Sequence, residues 1–142
     1  MANQAVVSTS MSITRGSLNR PLTSNDVIVM TGLAGPTPGN VLAAVNHTVV
    51  NLTALTTPGL CRIQNLDANN TVYYGIYSSH YNDFFPLGRL LPGMTNYLYL
   101  SDLLGKDLTP VTGTGPGDAF TNNFALKALT APCWCLVEVF DQ

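Results

Sequence analysis

Short apolar runs separated by turn residues follow one another along most of this chain. The clearest series lies between Gly59 and Ser101, where four runs rich in Val, Ile, Tyr and Phe are closed by Asn, Asp, Gly or Pro. Runs of this kind are typical of successive antiparallel strands. Eight or so strands at a spacing of about 8–12 residues predict a single all-β domain, an antiparallel β-sandwich or jelly roll, and the sequence leaves the choice between the two open.

The N-terminal segment alternates between apolar or Thr side chains and hydroxyl side chains. One face would carry Val7, Thr9, Met11 and Ile13, and the other would carry Ser8, Ser10, Ser12 and Thr14. This pattern predicts a half-buried strand that serves as a sheet edge or as an extended arm pairing with a neighbour. Residues 15–25 are interpreted as turn-like and residues 27–30 as a second strand. We therefore divide the chain into an N-terminal arm or edge strand, residues 1–25, and a β-sandwich domain, residues 26–142.

Several other segments carry local signals. The segment 32–39 contains two prolines and three glycines and is predicted to be a surface loop, because these residues break a strand ladder. Two short runs, residues 41–45 and 48–52, predict a hairpin around Asn46 and His47. The stretch from Leu108 to Thr121 is rich in Gly, Thr and Pro and predicts a long mobile loop. Residues 102–107 are the candidate for a helical turn.

Two later runs predict which side chains share a face. Within residues 71–77, Val72, Tyr74 and Ile76 lie on one side of the predicted strand, and Tyr73 and Tyr77 lie on the other. The final strand places three further residues on one side, namely Cys135, Val137 and Val139. Both patterns follow from the two-residue period of a strand. Residues 84–87 predict a short apolar strand.

Charged residues are unusually scarce. They make up 10% of the chain, against about 25% in a typical soluble domain. The six Lys and Arg residues are scattered, and the formal net charge is −2. Because charge normally keeps monomeric domains apart, this composition indicates that much of the surface is covered in the working state. A charge-poor β domain of the secreted type is the alternative.

The same composition argues against several classes of partner. Phosphates are neutralised by clustered Lys and Arg, which this chain lacks, so no nucleic-acid partner is expected. No run of about 18 apolar residues is present to span a membrane. The first residues lack the basic and apolar regions of a secretion signal. We therefore expect a protein that is made in a cytosol and has no membrane partner.

The three cysteines are the most conspicuous candidates for chemistry. Cys133 and Cys135 would face the same side of a strand, and Cys61 with His47 or His80 would complete a zinc site. Core packing is the preferred interpretation, because structural zinc pairs usually lie in loops at wider spacing and free Cys is among the most buried residue types. An odd number of cysteines without a secretion signal also argues against a disulfide framework.

The remaining titratable groups do not form a recognisable catalytic set. His80 lies close in sequence to Ser78, Ser79 and Asp83, but one exposed turn does not supply the buried, oriented base of a catalytic triad. We therefore predict no catalytic residue, no cofactor and no metal site, and the chain is not expected to be an enzyme.

Aromatic side chains crowd the region from residue 73 to residue 99. Most of them are expected in the core, and Tyr73 and Tyr77 are the best candidates for an exposed pair. Such a pair can stack on a sugar ring or on a protein neighbour. A cross-strand pair that merely stabilises the sheet is an equal alternative.

The block CRIQNLDANNTVYYGIY, the following FFPLGRLLPGMTNYLYLS and the closing CLVEVFD together resemble small all-β structural proteins of tailed bacteriophages. The resemblance covers about half the chain. It rests mainly on turn and strand-end features, namely Asn65, Gly75, Pro86-Leu87-Gly88, Leu91-Pro92-Gly93 and Val137-Glu138-Val139. It implies a part of the virion, most plausibly a capsid decoration (cement) protein.

The resulting hypothesis is a homo-oligomer, with a trimer favoured, that binds the major capsid protein on the outer surface of a phage shell and braces subunit junctions. The expected interaction residues are Val7, Thr9, Met11, Ile13, Tyr73 and Tyr77. Two alternatives remain at this stage. One is a neck, tail or fibre-attachment component of the virion, and the other is a carbohydrate-binding module that uses Tyr73 and Tyr77.

Overall fold

Every regular element of the described chain is a β-strand, which confirms the all-β class. The computed structural model describes residues 3–30, 35–105, 107–108 and 120–142. Its eleven strands are β1 (Asn3–Arg15), β2 (Leu18–Met30), β3 (Thr37–Ala43), β4 (Thr48–Val49), β5 (Pro58–Asn65), β6 (Val72–Ser78), β7 (Asp83–Leu90), β8 (Thr95–Tyr99), β9 (Asp107–Leu108), β10 (Phe120–Ala128) and β11 (Cys133–Asp141).

The strands β3 to β11 form a two-layered sandwich. One layer, which we call the β6 sheet, has the order β4-β10-β6-β7, with β9 paired to β10. The other, the β5 sheet, has the order β3-β11-β5-β8. Successive strand pairs are nested: β3 pairs with β11, β4 with β10, β5 with β8 and β6 with β7, all antiparallel. This nesting is the order of a jelly roll, the topology that the sequence left open.

The core lies between the two sheets and follows the strand alternation. In β11, Cys135, Val137 and Val139 are fully buried, on the shared face that the sequence predicted. In β6, Val72 and Tyr74 are buried while Tyr73 is half-buried. The inward faces of the two sheets therefore supply one continuous apolar cluster, as the two-residue period of a strand requires.

The hairpin predicted around Asn46 and His47 is wrong. β3 and β4 lie in different sheets, so this segment carries the chain from one layer to the other. Thr48 fixes the crossing, because its Oγ1 accepts the N–H of Ala44 at 3.0 Å and donates to the carbonyl of Leu42 at 3.0 Å. Local alternation cannot distinguish such a crossing from a hairpin, since both are two short runs around a turn.

The predicted loop at residues 32–39 is wrong in its last part. β3 already begins at Thr37 and includes Pro38 and Gly39. Pro38 is tolerated because β3 lies at an edge of its sheet and pairs only with β11, so the N–H that proline lacks is not needed on the open side.

The turn-like assignment of residues 15–25 is also wrong. β2 begins at Leu18 and pairs with β1 along its whole length, from Arg15↔Leu18 to Asn3↔Met30. Gly16, at φ +59°, and Ser17 make the connecting two-residue turn, and a glycine at the first central position is typical of a tight hairpin turn. The boundary drawn between residues 25 and 26 falls inside β2.

The later segments differ in smaller ways. β7 is longer than predicted, running from Asp83 to Leu90. Residues 102–105 form turns, with the N–H of Leu104 bonded to the carbonyl of Ser101 at 3.2 Å. The predicted loop from Leu108 to Thr121 is flanked by β9 and β10, and its residues 109–119 lie outside the described residues.

Asn65 organises the turn that follows β5. Its side chain is fully buried, and its Nδ2 donates to the carbonyls of Asn70 at 2.7 Å and of Leu90 and Leu91 at 3.3 Å each. Its Oδ1 accepts the N–H of Asp67 at 3.0 Å. One amide thus joins the ends of β5 and β7 to the turn between β5 and β6.

The predicted turn at residues 67–70 is confirmed, and Asp67 closes it. The carboxylate accepts the N–H groups of Asn69 and Asn70, both at 2.7 Å. These two bonds lower the pKa of Asp67 below its ordinary value, and the bond from Asn69 contributes most. The turn is therefore held by the ionised form of this side chain.

We expect Asp67→Ala to destabilise the fold at neutral pH and to have a much smaller effect at strongly acidic pH. A carboxylate with a lowered folded pKa stabilises the protein above its unfolded pKa of about 3.9. This contribution disappears as the pH falls through the folded pKa. Urea unfolding across this range measures it, with Asn69→Ala as the control in the same turn. Equal losses of stability at neutral and at strongly acidic pH would contradict a stabilising role for the ionised carboxylate.

Candidate interaction surfaces

The hairpin of β1 and β2 stands apart from the sandwich. Its two strands are each thirteen residues long, or about 43 Å at the usual rise per residue. They form a separate two-stranded sheet, and the extensive contacts of each strand are with the other. Within the described residues, this ribbon has no third strand to extend its sheet, and such strands are what usually stabilise a hairpin in water.

One face of the hairpin exposes an apolar cluster towards its turn. Met11 and Leu22 are directly opposite each other, and Ile13 lies beside them on the same face. We call these three residues the tip patch; their side chains are between 42% and 54% exposed. The opposite face at the same depth carries the polar cross-strand pair Ser10 and Thr23. The hairpin tip is therefore amphipathic, whereas nearer the base the opposite face exposes three valines, namely Val6, Val27 and Val29.

The predicted interaction residues of the arm all lie on this apolar face. Met11 and Ile13 belong to the tip patch, Thr9 is exposed, and Val7 is half-buried nearer the base. The half-buried strand expected from their alternation is wrong for the tip, because its apolar side chains do not pack against the sandwich. Leu22 was not among the predicted residues, although the Gly16-Ser17 pair between two alternating segments is a recognised hairpin signal.

The outer face of the β5 sheet is a second exposed surface. Trp134 of β11 is opposite Leu42 of β3, and Tyr97 and Tyr99 lie on the same side of β8. We call these four residues the sheet face; they are between 43% and 56% exposed. Exposed aromatic side chains on a regular sheet are typical of protein interfaces.

An ion pair lies in the middle of this sheet. Arg62 of β5 and Glu138 of β11 are cross-strand partners, with Nη1 and Oε2 2.7 Å apart. This hydrogen bond raises the pKa of the Arg62 guanidinium, and Nη2 also donates to Gln64 at 3.1 Å. The two charges cancel, so the described part of this face carries no net charge.

Tyr73 and Tyr77 lie on the outer side of the β6 sheet and are both half-buried. The ring of Tyr77 stacks on His47, with centroids 4.2 Å apart and planes 16° apart, and its hydroxyl donates to Asn82 at 2.7 Å. Tyr73 lies between Arg89 and Lys127 on the neighbouring strands. One face of Tyr77 is therefore already occupied within the chain.

The expectation that most aromatics of residues 73–99 enter the core is wrong. Tyr74 is buried, and its hydroxyl accepts a hydrogen bond from Asn96 of the other sheet at 2.8 Å. Tyr81, Phe85, Tyr97 and Tyr99 are exposed. β7 and β8 are edge strands, and the sequence does not reveal which strands occupy the edges.

The cysteines pack in the core, as the preferred interpretation predicted. Cys61, Cys133 and Cys135 are buried free thiols, and burial raises the pKa of Cys61 and of Cys135 to about 12. The thiol form therefore predominates at neutral pH, which makes them inert. Within the described ranges, no three residues of the types His, Cys, Asp and Glu lie close enough to hold a metal ion.

A pocket of about 340 Å³ opens where β4, the segment after it and β10 meet. Its described lining includes Leu55, Leu104, Asn123 and Phe124, and none of its lining residues is titratable. The described lining can enclose an apolar group, and its hydroxyls, from Thr53 and Thr56, come with no titratable acid or base.

Neither the secondary structure nor the comparisons with known proteins assign a function to these surfaces. In the part of the chain that the structure describes, no helix is long and apolar enough to cross a membrane. Neither the protein-family models, nor the curated proteins, nor the solved structures include a match to this chain.

Proposed function

We propose that this protein is a non-enzymatic structural component of a phage virion, a decoration protein that binds the outer surface of the capsid and stabilises subunit junctions. It acts as a homo-oligomer, with a trimer favoured, and its shell partner is the major capsid protein. It is made in the host cytoplasm and functions on the virion.

The separate hairpin with its amphipathic tip carries this proposal. An apolar patch on an extended ribbon is costly for a protein that works alone, because it invites association. On a particle surface the same ribbon is covered by a neighbouring protein. The thirteen-residue strands give it the reach to contact a molecule beyond its own sandwich.

The low charge supports the same proposal. A charge-poor surface packs at subunit junctions without the desolvation penalty of burying unpaired ions. The ion pair between Arg62 and Glu138 is already matched within the chain. Many modest contacts of this kind, repeated over a shell, stabilise it collectively.

The jelly-roll topology agrees with a virion role without selecting it. Jelly rolls occur in capsid proteins and in lectins, and one fold serves many functions. The choice between these roles rests on the surfaces. Because His47 covers one face of the Tyr77 ring, we do not propose sugar binding.

Quantitative mass spectrometry of purified virions tests the proposal. We expect this chain at an abundance of the same order as the major shell protein, because a decoration protein occupies sites that repeat over the whole capsid. Repeating the measurement on virions repurified by density-gradient centrifugation controls for protein that is only adsorbed. A few copies per particle would instead indicate a neck, tail or fibre-attachment component, and complete absence would refute the virion proposal.

A further inference from the structure

We propose that the tip patch of the hairpin docks on the sheet face of a second copy of this chain, so that copies are linked by donated hairpins. This deepens the proposed function by naming the neighbour that covers the hairpin. It concerns the isolated protein, and it can therefore fail or succeed independently of the virion role.

Among the described residues, the donor surface makes no extensive contact outside the hairpin itself. Met11, Ile13 and Leu22 remain about half exposed, and their strands make their extensive contacts only with each other. Packing this face against a second sheet supplies the support that an isolated two-stranded ribbon lacks.

The acceptor surface is likewise open. Trp134, Tyr97 and Tyr99 lie on the outside of a four-stranded sheet, so a flat ribbon laid over them forms an additional layer about 10 Å away, the usual distance between packed sheets. The hydroxyl of Tyr99 already donates to Gln142, and its oxygen can still accept a hydrogen bond from a hydroxyl-bearing side chain of a ribbon.

The reach of the hairpin fits an exchange between copies. Its length of about 43 Å is roughly three times the radius of gyration of about 13 Å expected for a domain of the sandwich's size. The chain passes from β2 towards β3, which forms one edge of the β5 sheet. A hairpin rooted near that edge can extend well past its own sandwich and reach the sandwich of a neighbour.

The buried area favours an arrangement in which each copy both donates and accepts. The hairpin face that carries the tip patch covers at most roughly 400 Å² over its full length, on standard strand dimensions. A copy that donates one such face and accepts another buries about 800 Å², the amount that one partner of a stable complex buries. A reciprocal pair places both contacts in one interface, whereas a head-to-tail ring such as a trimer divides them between two interfaces of about 400 Å² per partner.

The charges of the two surfaces permit this contact. On the apolar side of the hairpin, the charged residues with described side chains are Arg20 and Asp26, one of each sign. The sheet carries Arg62 and Glu138, also one of each sign. Both surfaces are therefore neutral in sum, and a net charge of −2 per chain repels a second copy only weakly.

Trp134 makes the proposal directly measurable, because it is the only tryptophan of the chain and lies in the acceptor surface. We expect its fluorescence to shift to shorter wavelength as concentration rises, in step with the oligomer seen by native mass spectrometry. Leu22→Ser should raise the dissociation constant roughly 30- to 150-fold, the effect of losing one buried leucine contact. The matched control, Thr23→Ala on the other hairpin face, should leave it unchanged.

Cross-linking identifies which surfaces meet. Differently tagged copies carrying Leu22→Cys and Tyr97→Cys are coexpressed and treated with a short bismaleimide, to which the three buried native thiols are poorly accessible. We expect a cross-linked heterodimer. Replacing Tyr97→Cys by Arg89→Cys, which lies in the other sheet at an exposed position, should abolish it.

Three outcomes would overturn the proposal. These are a monomer at all concentrations, cross-links only between two Leu22→Cys copies, and an oligomer in which Trp134 fluorescence never changes. None of them bears on the abundance of the chain in virions, and a chain absent from virions would not affect the cross-links. Failure of this proposal and failure of the virion role are therefore separable.

Discussion

Asn65→Asp is expected to destabilise the sandwich by about 4 kcal/mol or more at neutral pH, a large part of the 5–15 kcal/mol available to a typical domain. The substitution retains the size of the side chain and the acceptor for the N–H of Asp67. It replaces the Nδ2 donor, which serves the carbonyls of Asn70, Leu90 and Leu91, by an oxygen that faces them. The three carbonyls lose their donor, and the new buried carboxylate has no opposite charge to pair with.

The pH dependence of this variant distinguishes lost hydrogen bonds from a packing defect. Burial and the three carbonyls disfavour the ionised carboxylate, so the pKa of the new side chain is raised in the folded state. Such a group favours folding below its unfolded pKa of about 3.9, and the variant loses stability as the pH rises above that value. Urea unfolding of the variant and the native protein over this range should show a widening difference. A difference independent of pH would contradict the hydrogen-bond account.

Gln64→Glu is the matched control for this experiment. It makes the same amide-to-acid change one residue earlier, on the half-exposed outer side of β5. There the new carboxylate lies beside Arg62, which already donates to Gln64 at 3.1 Å. We expect a change within about 0.5 kcal/mol, as for most surface substitutions.

The parts of the fold that the sequence predicts are those determined within one strand or one turn. The burial of Cys135, Val137 and Val139 follows from alternation alone, and Asp67 closes its turn through bonds to residues two and three positions away. Which strands become neighbours, in contrast, depends on distant parts of the chain. β3 pairs with β11, and Leu42 meets Trp134 across more than ninety intervening positions, a relation that no local pattern contains.

The same distinction explains the candidate surfaces. Alternation placed Val7, Thr9, Met11 and Ile13 on one face, which the structure retains. Whether that face is covered depends on the rest of the molecule, so the burial expected for it was wrong. The sheet face was missed altogether because exposure of Trp134, Tyr97 and Tyr99 depends on a sheet assembled from distant segments.

The second large effect is expected on particle binding. The double substitution Met11→Lys with Leu22→Asp should lower occupancy of the chain on virions at least about 100-fold at limiting concentration. It removes two apolar side chains whose burial in the proposed contact between copies contributes roughly 3–6 kcal/mol in total, so the oligomer that binds the shell comes apart. Opposite charges are placed on a directly paired position, so the hairpin itself remains intact.

A matched control introduces the same two charges at almost the same distance from the hairpin turn, but on the other face. Ser10 and Thr23 are also directly opposite each other, one position along on the polar face, and Ser10→Lys with Thr23→Asp introduces the same pair of charges there. Because this face is not the proposed contact, occupancy should remain close to that of the native chain, and unfolding of both variants should match it. Equal loss of occupancy in the two variants would assign binding to the ribbon edges or to both faces. Equal retention would show that occupancy on the particle does not depend on the hairpin tip.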